Sequence, residues 1–167
     1  GEVYKNASPR LFAVLALFLS ACINVKELPR EVMHVTVIPL LKCKTKDPSD
    51  INNYRPIAIA TSISKVLEQV ILARLQTFLS TANSQFGFKE GHGTEMAIFA
   101  LKQTIEYYRS RDSPVFLCFL DAKKAFDRVN HWTLFRRLIE RGAPLHIVQL
   151  LVFCYREQEF FVRWGSS

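Results

Sequence analysis

The sequence predicts an α+β domain. Three observations carry that expectation: apolar residues recur at helical spacing in several segments, β-branched or unbroken apolar runs of strand length lie between them, and the two kinds interleave without a strict βα rhythm. The chain has 167 residues, 49% of them hydrophobic and 12% aromatic, enough for a substantial core and too apolar for a disordered chain. One domain, or a large piece of one, fits that length. Gly1 in place of Met, and a last strand-like run followed directly by "GSS", suggest that both ends are cut.

A helix is predicted over about 9–23, with Pro9 in its first turn and the polar stretch "NVKELPRE" after it. Its run "LFAVLALFLSAC" (11–22) ends like a lipoprotein cleavage box at Cys22. No Met with a basic leader stands directly upstream, and the run is too short to cross a bilayer, so a buried helix is the preferred reading. The β-branched "HVTVIPLL" (34–41) reads as a strand, in which Pro39 marks an edge or a bulge. The charged, turn-rich stretch 42–54 leads to a return strand, "RPIAI" (55–59), making a hairpin with a long tip.

Ile63, Val66, Leu67, Val70, Ile71, Leu75, Phe78 and Leu79 share one helical face, with Thr61 or Ser62 as the cap. Residues 83–93 read as a loop. Thr94 is expected to cap the next helix, which carries Ala97, Leu101, Ile105 and Tyr108 on one side. "PVFLCFLD" (114–121) is apolar without alternation and reads as a fully buried strand. Asn130 is expected to cap a helix to about Glu140 closed by Gly142, Pro144 opens another to about Tyr155, and "EFFVRW" (159–164) is a final strand.

The net charge of +7 and a pI near 9.4 suit a polyanionic partner. Cys22, Cys43, Cys118 and Cys154 form no C-x-x-C pair and read as reduced thiols, three of them in or near the core. His34, His92, His131 and His146 have no second ligand at metal spacing and read as structural. "GFKEGHGT" (87–94) opens a helix but has neither the lysine nor the glycine spacing of a P-loop, and reads first as an ordinary connector.

Two features point to chemistry. In "FLDAKKAFDRVNH" (119–131), Asp121 and Asp127 stand six residues apart. Six residues of strand span about 20 Å, and in a helix they fall on different faces, so the two carboxylates do not share one cation in a regular element. Asp121, at the carboxyl end of the expected buried strand and beside Lys123 and Lys124, is the candidate metal ligand. Asp127 falls in a tight turn or first helical turn. Lys123 stands where a phosphatase of the Asp-x-Asp type would carry its second acid, which rejects that class. In the hairpin, Lys42, Lys44 and Lys46 share one face if the arm stays extended, and Arg55 begins the return arm. A mobile tip of this kind can clamp phosphate oxygens, or its lysines can simply protect a sheet edge from pairing.

"NNYRPIAI", "SISKVLEQVILARL", "SQFGFKEGHGTEMAI" and "FLDAKKAFDRVNH" resemble, in order and spacing, the fingers and first palm segments of reverse transcriptases, above all those of non-long-terminal-repeat (LINE-type) retrotransposons. The resemblance runs from about residue 9 to 164 and implies an incomplete right-hand polymerase, fingers-like over about 9–110 and the start of the palm over about 111–167. On it, Asp121 is the catalytic metal ligand, with the Ala122 carbonyl as a second contact, and Phe126 is a gate that excludes a ribose 2′-hydroxyl. Arg55 with Lys42 or Lys44 holds the triphosphate, and Lys89 lies on the template side. The implied activity is RNA-directed DNA synthesis from dNTPs on an RNA template and DNA primer, inside the cell in cytoplasm or nucleus. No membrane and no obligate protein partner is implied.

The cofactor expected in the complete enzyme is Mg²⁺. The family's Asp-Asp hairpin and thumb are not in this sequence, so the chain is expected to be truncated before them, to hold Mg²⁺ weakly and to be inactive alone. The alternative from another class is a non-catalytic nucleic-acid-binding remnant.

Overall fold

The computed structural model describes residues 8–165. The chain divides into two compact units: everything up to Phe78 together with everything from Asn130 on, and Leu79–Val129.

The first unit is a helical cluster with a small sheet. Helix α1 (Pro9–Val25) starts as its sequence dictates, with Pro9 in the first turn and Ser8 accepting from the Leu11 N–H. Only its C-terminal part is buried, through Leu19, Cys22 and Ile23. Leu11, Phe12, Val14 and Leu17 are exposed, so the buried-helix reading holds for that part alone. A single turn, α2 (Arg30–Met33), leads into β1 (His34–Leu41), and β2 (Tyr54–Ala60) returns antiparallel to it. Thr61 caps α3 (Ser62–Leu75) through a bond from the Ser64 N–H at 3.1 Å.

Asn130 Oδ1 accepts from the Thr133 N–H at 3.0 Å and so caps helix α5 (His131–Glu140), the next helix of this unit. Gly142 ends it with a left-handed φ of 81°. There the Ala143 N–H reaches back to Leu138 O at 3.0 Å, a closure that a side chain on residue 142 would strain. Helix α6 (Leu145–Glu157) follows Pro144 and supplies the most enclosed residues, Ile147, Val148 and Leu150. These pack with Leu67, Ile71 and Leu75 of α3, Phe135 and Leu138 of α5, and the buried end of α1.

The last strand, β3 (Glu159–Val162), adds parallel to β1, giving the order β2-β1-β3. β1 is thus central, yet β3 pairs only with residues His34–Val37, and the last bond on that side runs from the Arg163 N–H to Val37 O. Pro39, two residues on and pointing the same way, lies where β1 is locally an edge and has no ladder bond to lose. It faces Pro56 across the hairpin, so neither proline removes a donor that the ladder needs.

In the second unit the one regular helix is α4 (Thr94–Arg109). Gly93, not Thr94, occupies its cap position, without a side-chain bond. Ala97, Leu101 and Ile105 are its least exposed positions, as their spacing predicts, but no described residue from 79 to 129 is buried. The expected buried strand at 114–121 is absent: the segment is irregular, with Phe116 91% and Leu120 94% exposed. An unbroken apolar run becomes a buried strand only with ladder partners and two covering layers, and the described residues of this unit supply neither. Cys118 is consequently exposed, against the expectation that it sits near the core, while Cys22 is buried and Cys154 half-buried. No helix among the described residues is long and apolar enough to cross a membrane.

Candidate functional site

The residues singled out by sequence fall into two groups, one in each unit. The first is the hairpin tip with Lys42, Lys44 and Arg55. β1 ends at Leu41, and the chain then turns repeatedly, so the three lysines do not alternate along an extended arm. The tip carries its own hydrogen bonds. Asp47 Oδ1 accepts from the Ser49 N–H at 2.8 Å, and Asp50 Oδ1 from the Asn52 N–H at 2.9 Å. Asn53 Nδ2 donates to Asp47 O at 3.0 Å, and the Tyr54 hydroxyl to Pro48 O at 2.9 Å. The Asp47, Asp50 and Asn53 bonds are side-chain-to-backbone closures that Asp and Asn favour in turns. The Tyr54 ring packs against Trp164, just past β3, with centroids 5.1 Å apart and planes tilted by 49°.

Arg55 lies in β2 opposite Leu40 and is exposed. The Cys43 thiol sits among the lysines. It is pulled below its ordinary range, chiefly by a hydrogen bond with the Thr45 hydroxyl 3.1 Å away. Burial does the opposite to Cys154, pushing its thiol up to about 11.

The second group is Asp121, Ala122 and Phe126, with Lys89 on the loop before α4. Asp121 lies in an exposed turn segment rather than at the end of a strand. Lys124, with a left-handed φ of 53°, bends the chain sharply, and a single 3-10 turn (Phe126–Arg128) follows, closed by the Val129 N–H on Phe126 O. Asp127 sits in that turn, as its spacing implies, and away from any regular element that would carry it beside Asp121.

Sequence reasoning missed Phe88. Its backbone is left-handed at φ 56°, a conformation that a bulky side chain adopts only under local constraint. Its ring meets Phe126 edge-on, with centroids 5.9 Å apart and planes at 86°. The signal was present, since Phe88 stands between Gly87 and Lys89, but nothing in a linear motif states that two of its blocks touch. Lys89 itself is half-buried at the turn closed by the His92 N–H on Lys89 O.

Among the described residues, no three His, Cys, Asp or Glu side chains gather where they could hold a metal ion. Divalent Mg²⁺ seeks near-octahedral oxygen ligation. Asp121 with one carbonyl falls far short of that, so these residues do not fit a two-ion centre by themselves.

Comparison with known proteins gives one consistent result. A family model described as reverse transcriptase (RNA-dependent DNA polymerase) matches residues 43–165, which include the second group and, of the first, Lys44 and Arg55. The RNA-directed DNA polymerase from mobile element jockey of Drosophila funebris is 34% identical over 159 residues, 89% of this chain and 16% of that protein. The probable RNA-directed DNA polymerase from transposon X-element of Drosophila melanogaster is 30% identical over 158 residues, 92% of this chain and 17% of that protein. A retrovirus-related Pol polyprotein from type-1 retrotransposable element R2 of Popillia japonica is 30% identical over 114 residues. The chain thus spans about a sixth of the length of these curated relatives.

Proposed function

This chain belongs to the reverse transcriptase family, and from that membership we propose that it supplies the fingertip and the first acidic segment of an RNA-directed DNA polymerase of a non-long-terminal-repeat retrotransposon. The observation that supports the reading is the family match over 43–165, a stretch that contains Lys44, Arg55 and the Asp121 segment.

The proposed reaction joins a dNTP to a primer 3′-hydroxyl on an RNA template, with the new P–O bond forming at the α-phosphate as diphosphate leaves. Lysines of the tip and Arg55 meet the triphosphate. Their fixed positive charge stabilises the negative charge that builds on the departing phosphates. Phe126 is the gate. A ring packed under the sugar leaves no space for a 2′-hydroxyl, and the edge-on contact with Phe88 limits how far that ring can swing. Lys89 faces the template strand.

Reverse transcriptases use divalent metal ions, and Asp121 with the Ala122 carbonyl is the part of such a site that we assign to this stretch. Mg²⁺ is the ion we assign. The remaining ligands must come from outside the described residues, so we propose that the chain alone extends no primer. Function inside the cell, in cytoplasm or nucleus, follows from the template it would copy. The reading from another class is a nucleic-acid-binding remnant that keeps the net charge of +7 and makes no product.

One experiment separates these. In a polypeptide carrying this stretch through the rest of the polymerase domain, primer extension on RNA is expected. Asp121→Asn should abolish it while template affinity stays within about twofold, because the carboxylate acts on the reacting phosphates and not on the template. Extension that survives Asp121→Asn removes Asp121 from the site. Template binding without extension in the unsubstituted polypeptide selects the remnant.

A further inference from the structure

A polar loop as long as residues 42–53 would ordinarily be mobile and leave its cations interchangeable. This one treats its lysines unequally. Lys42 clamps two consecutive carbonyls of the returning chain: its backbone N–H donates to Asn53 O at 2.8 Å and its Nζ to Asn52 O at 2.7 Å. A charge-assisted bond of that length at the neck of the loop holds both ends of it together. Lys44 and Lys46 are exposed, and neither ammonium has a partner among the described residues. Neither forms an ion pair with the two aspartates of the loop, whose carboxylates accept from the N–H groups of Ser49 and Asn52.

We propose that Lys42 is a positioning residue that closes the tip, and that Lys44 and Lys46 are the cations it presents to a polyphosphate. The proposal rests on the nucleotide-handling reading of the hairpin. An ammonium already committed to Asn52 O would have to give up that bond before it could meet a phosphate. Lys44 and Lys46 give up nothing but water. The tip is therefore a pre-formed cradle: ordering entropy that a mobile loop would lose on binding is already lost on folding. Two lysines of similar exposure and spacing thus act by different routes, Lys42 through the shape of the loop and Lys44 through its charge.

The test uses the chain itself, inorganic tripolyphosphate as the probe, and two readouts: amide hydrogen exchange at residues 46, 49, 50, 52 and 53, and tripolyphosphate affinity at low salt. Lys42→Met should raise loop exchange roughly tenfold, the scale of one lost charged hydrogen bond, and weaken tripolyphosphate binding with it. Lys42→Arg keeps a donor and should restore both. The double substitution Lys44→Met with Lys46→Met should weaken binding about tenfold or more while loop exchange stays at the wild-type rate. Amides of α6 serve as the control that the core is intact.

Unchanged loop exchange in Lys42→Met overturns the proposal. So does wild-type affinity in the double variant. If the wild-type chain binds no tripolyphosphate, the nucleotide reading of the tip falls together with the presenting role of Lys44 and Lys46, and the exchange measurement still decides whether Lys42 is the brace.

Discussion

Both parts of the chain are rich in apolar residues, but they use them differently. Up to Phe78 and from Asn130 on, leucines, isoleucines and phenylalanines from four helices enclose one another. Between Leu79 and Val129, Phe88, Phe116, Phe119, Leu120 and Phe126 are exposed and no described residue is buried. The contrast separates two things that a motif search conflates. The segments around Asp121 and Phe88 take their shape from local turns and ring contacts, whereas the helices that fold the chain carry little chemistry. The largest effect that can break this comparison is on stability. Ile147→Ala, at a position with no exposure, should cost about 2–5 kcal/mol in denaturant unfolding. Leu120→Ala, 94% exposed, should stay within about 0.5 kcal/mol of the wild type. Comparable losses would mean that 79–129 has a core of its own.

The same contrast explains what could be read in the sequence. Elements whose determinants are local came out close to the structure: β1 over 34–41, the Thr61 and Asn130 caps, the Gly142 stop, and the helical face of Ala97, Leu101 and Ile105. Each depends on residues within about one turn of one another. The buried strand at 114–121 did not come out, because an apolar run records a capacity for burial and the partners that realise it are elsewhere. The parallel pairing of β3 with β1 joins residues at opposite ends of the chain, and no periodicity carries that information. At the candidate site, the family was legible through the ordered blocks. The Phe88–Phe126 contact and the unequal lysines were not, since both are set by backbone turns, one of them left-handed at a phenylalanine.

A smaller effect sharpens the boundary between the two parts. Asn130 is the first residue of the packed unit after the open one, and its side chain caps α5. Asn130→Ala removes one hydrogen bond from the first turn and should cost about 1 kcal/mol, read as a shift in the denaturation midpoint. Amide exchange in α4 should be unchanged, because nothing in that helix depends on the cap. Exchange that rises in α4 as well would show that the two units unfold together.

The smallest expected effect concerns how the parallel strand is held within the packed unit. β3 has only four residues, and its first, Glu159, accepts from Arg30 at 2.8 Å on one oxygen. Its other oxygen lies 3.0 Å from His34 Nε2, close but without hydrogen-bond geometry. The Arg30 hydrogen bond, followed by its charge, holds the Glu159 carboxyl below the ordinary glutamate range, against the opposing effect of burial. A depressed carboxylate contributes stability that is complete above its unfolded-state value and is lost as pH falls through its lower folded-state value. Arg30→Met should therefore lower the denaturation midpoint at neutral pH, and the difference from wild type should close as the solution is acidified below the glutamate range. Because the pair is partly exposed, added salt should shrink the same difference at neutral pH. A difference that persists in acid would mean that Arg30 acts through the packing of its stem and not through its charge, and the register of β3 would then rest on its backbone pairing with His34 to Val37 and the Arg163 bond to Val37.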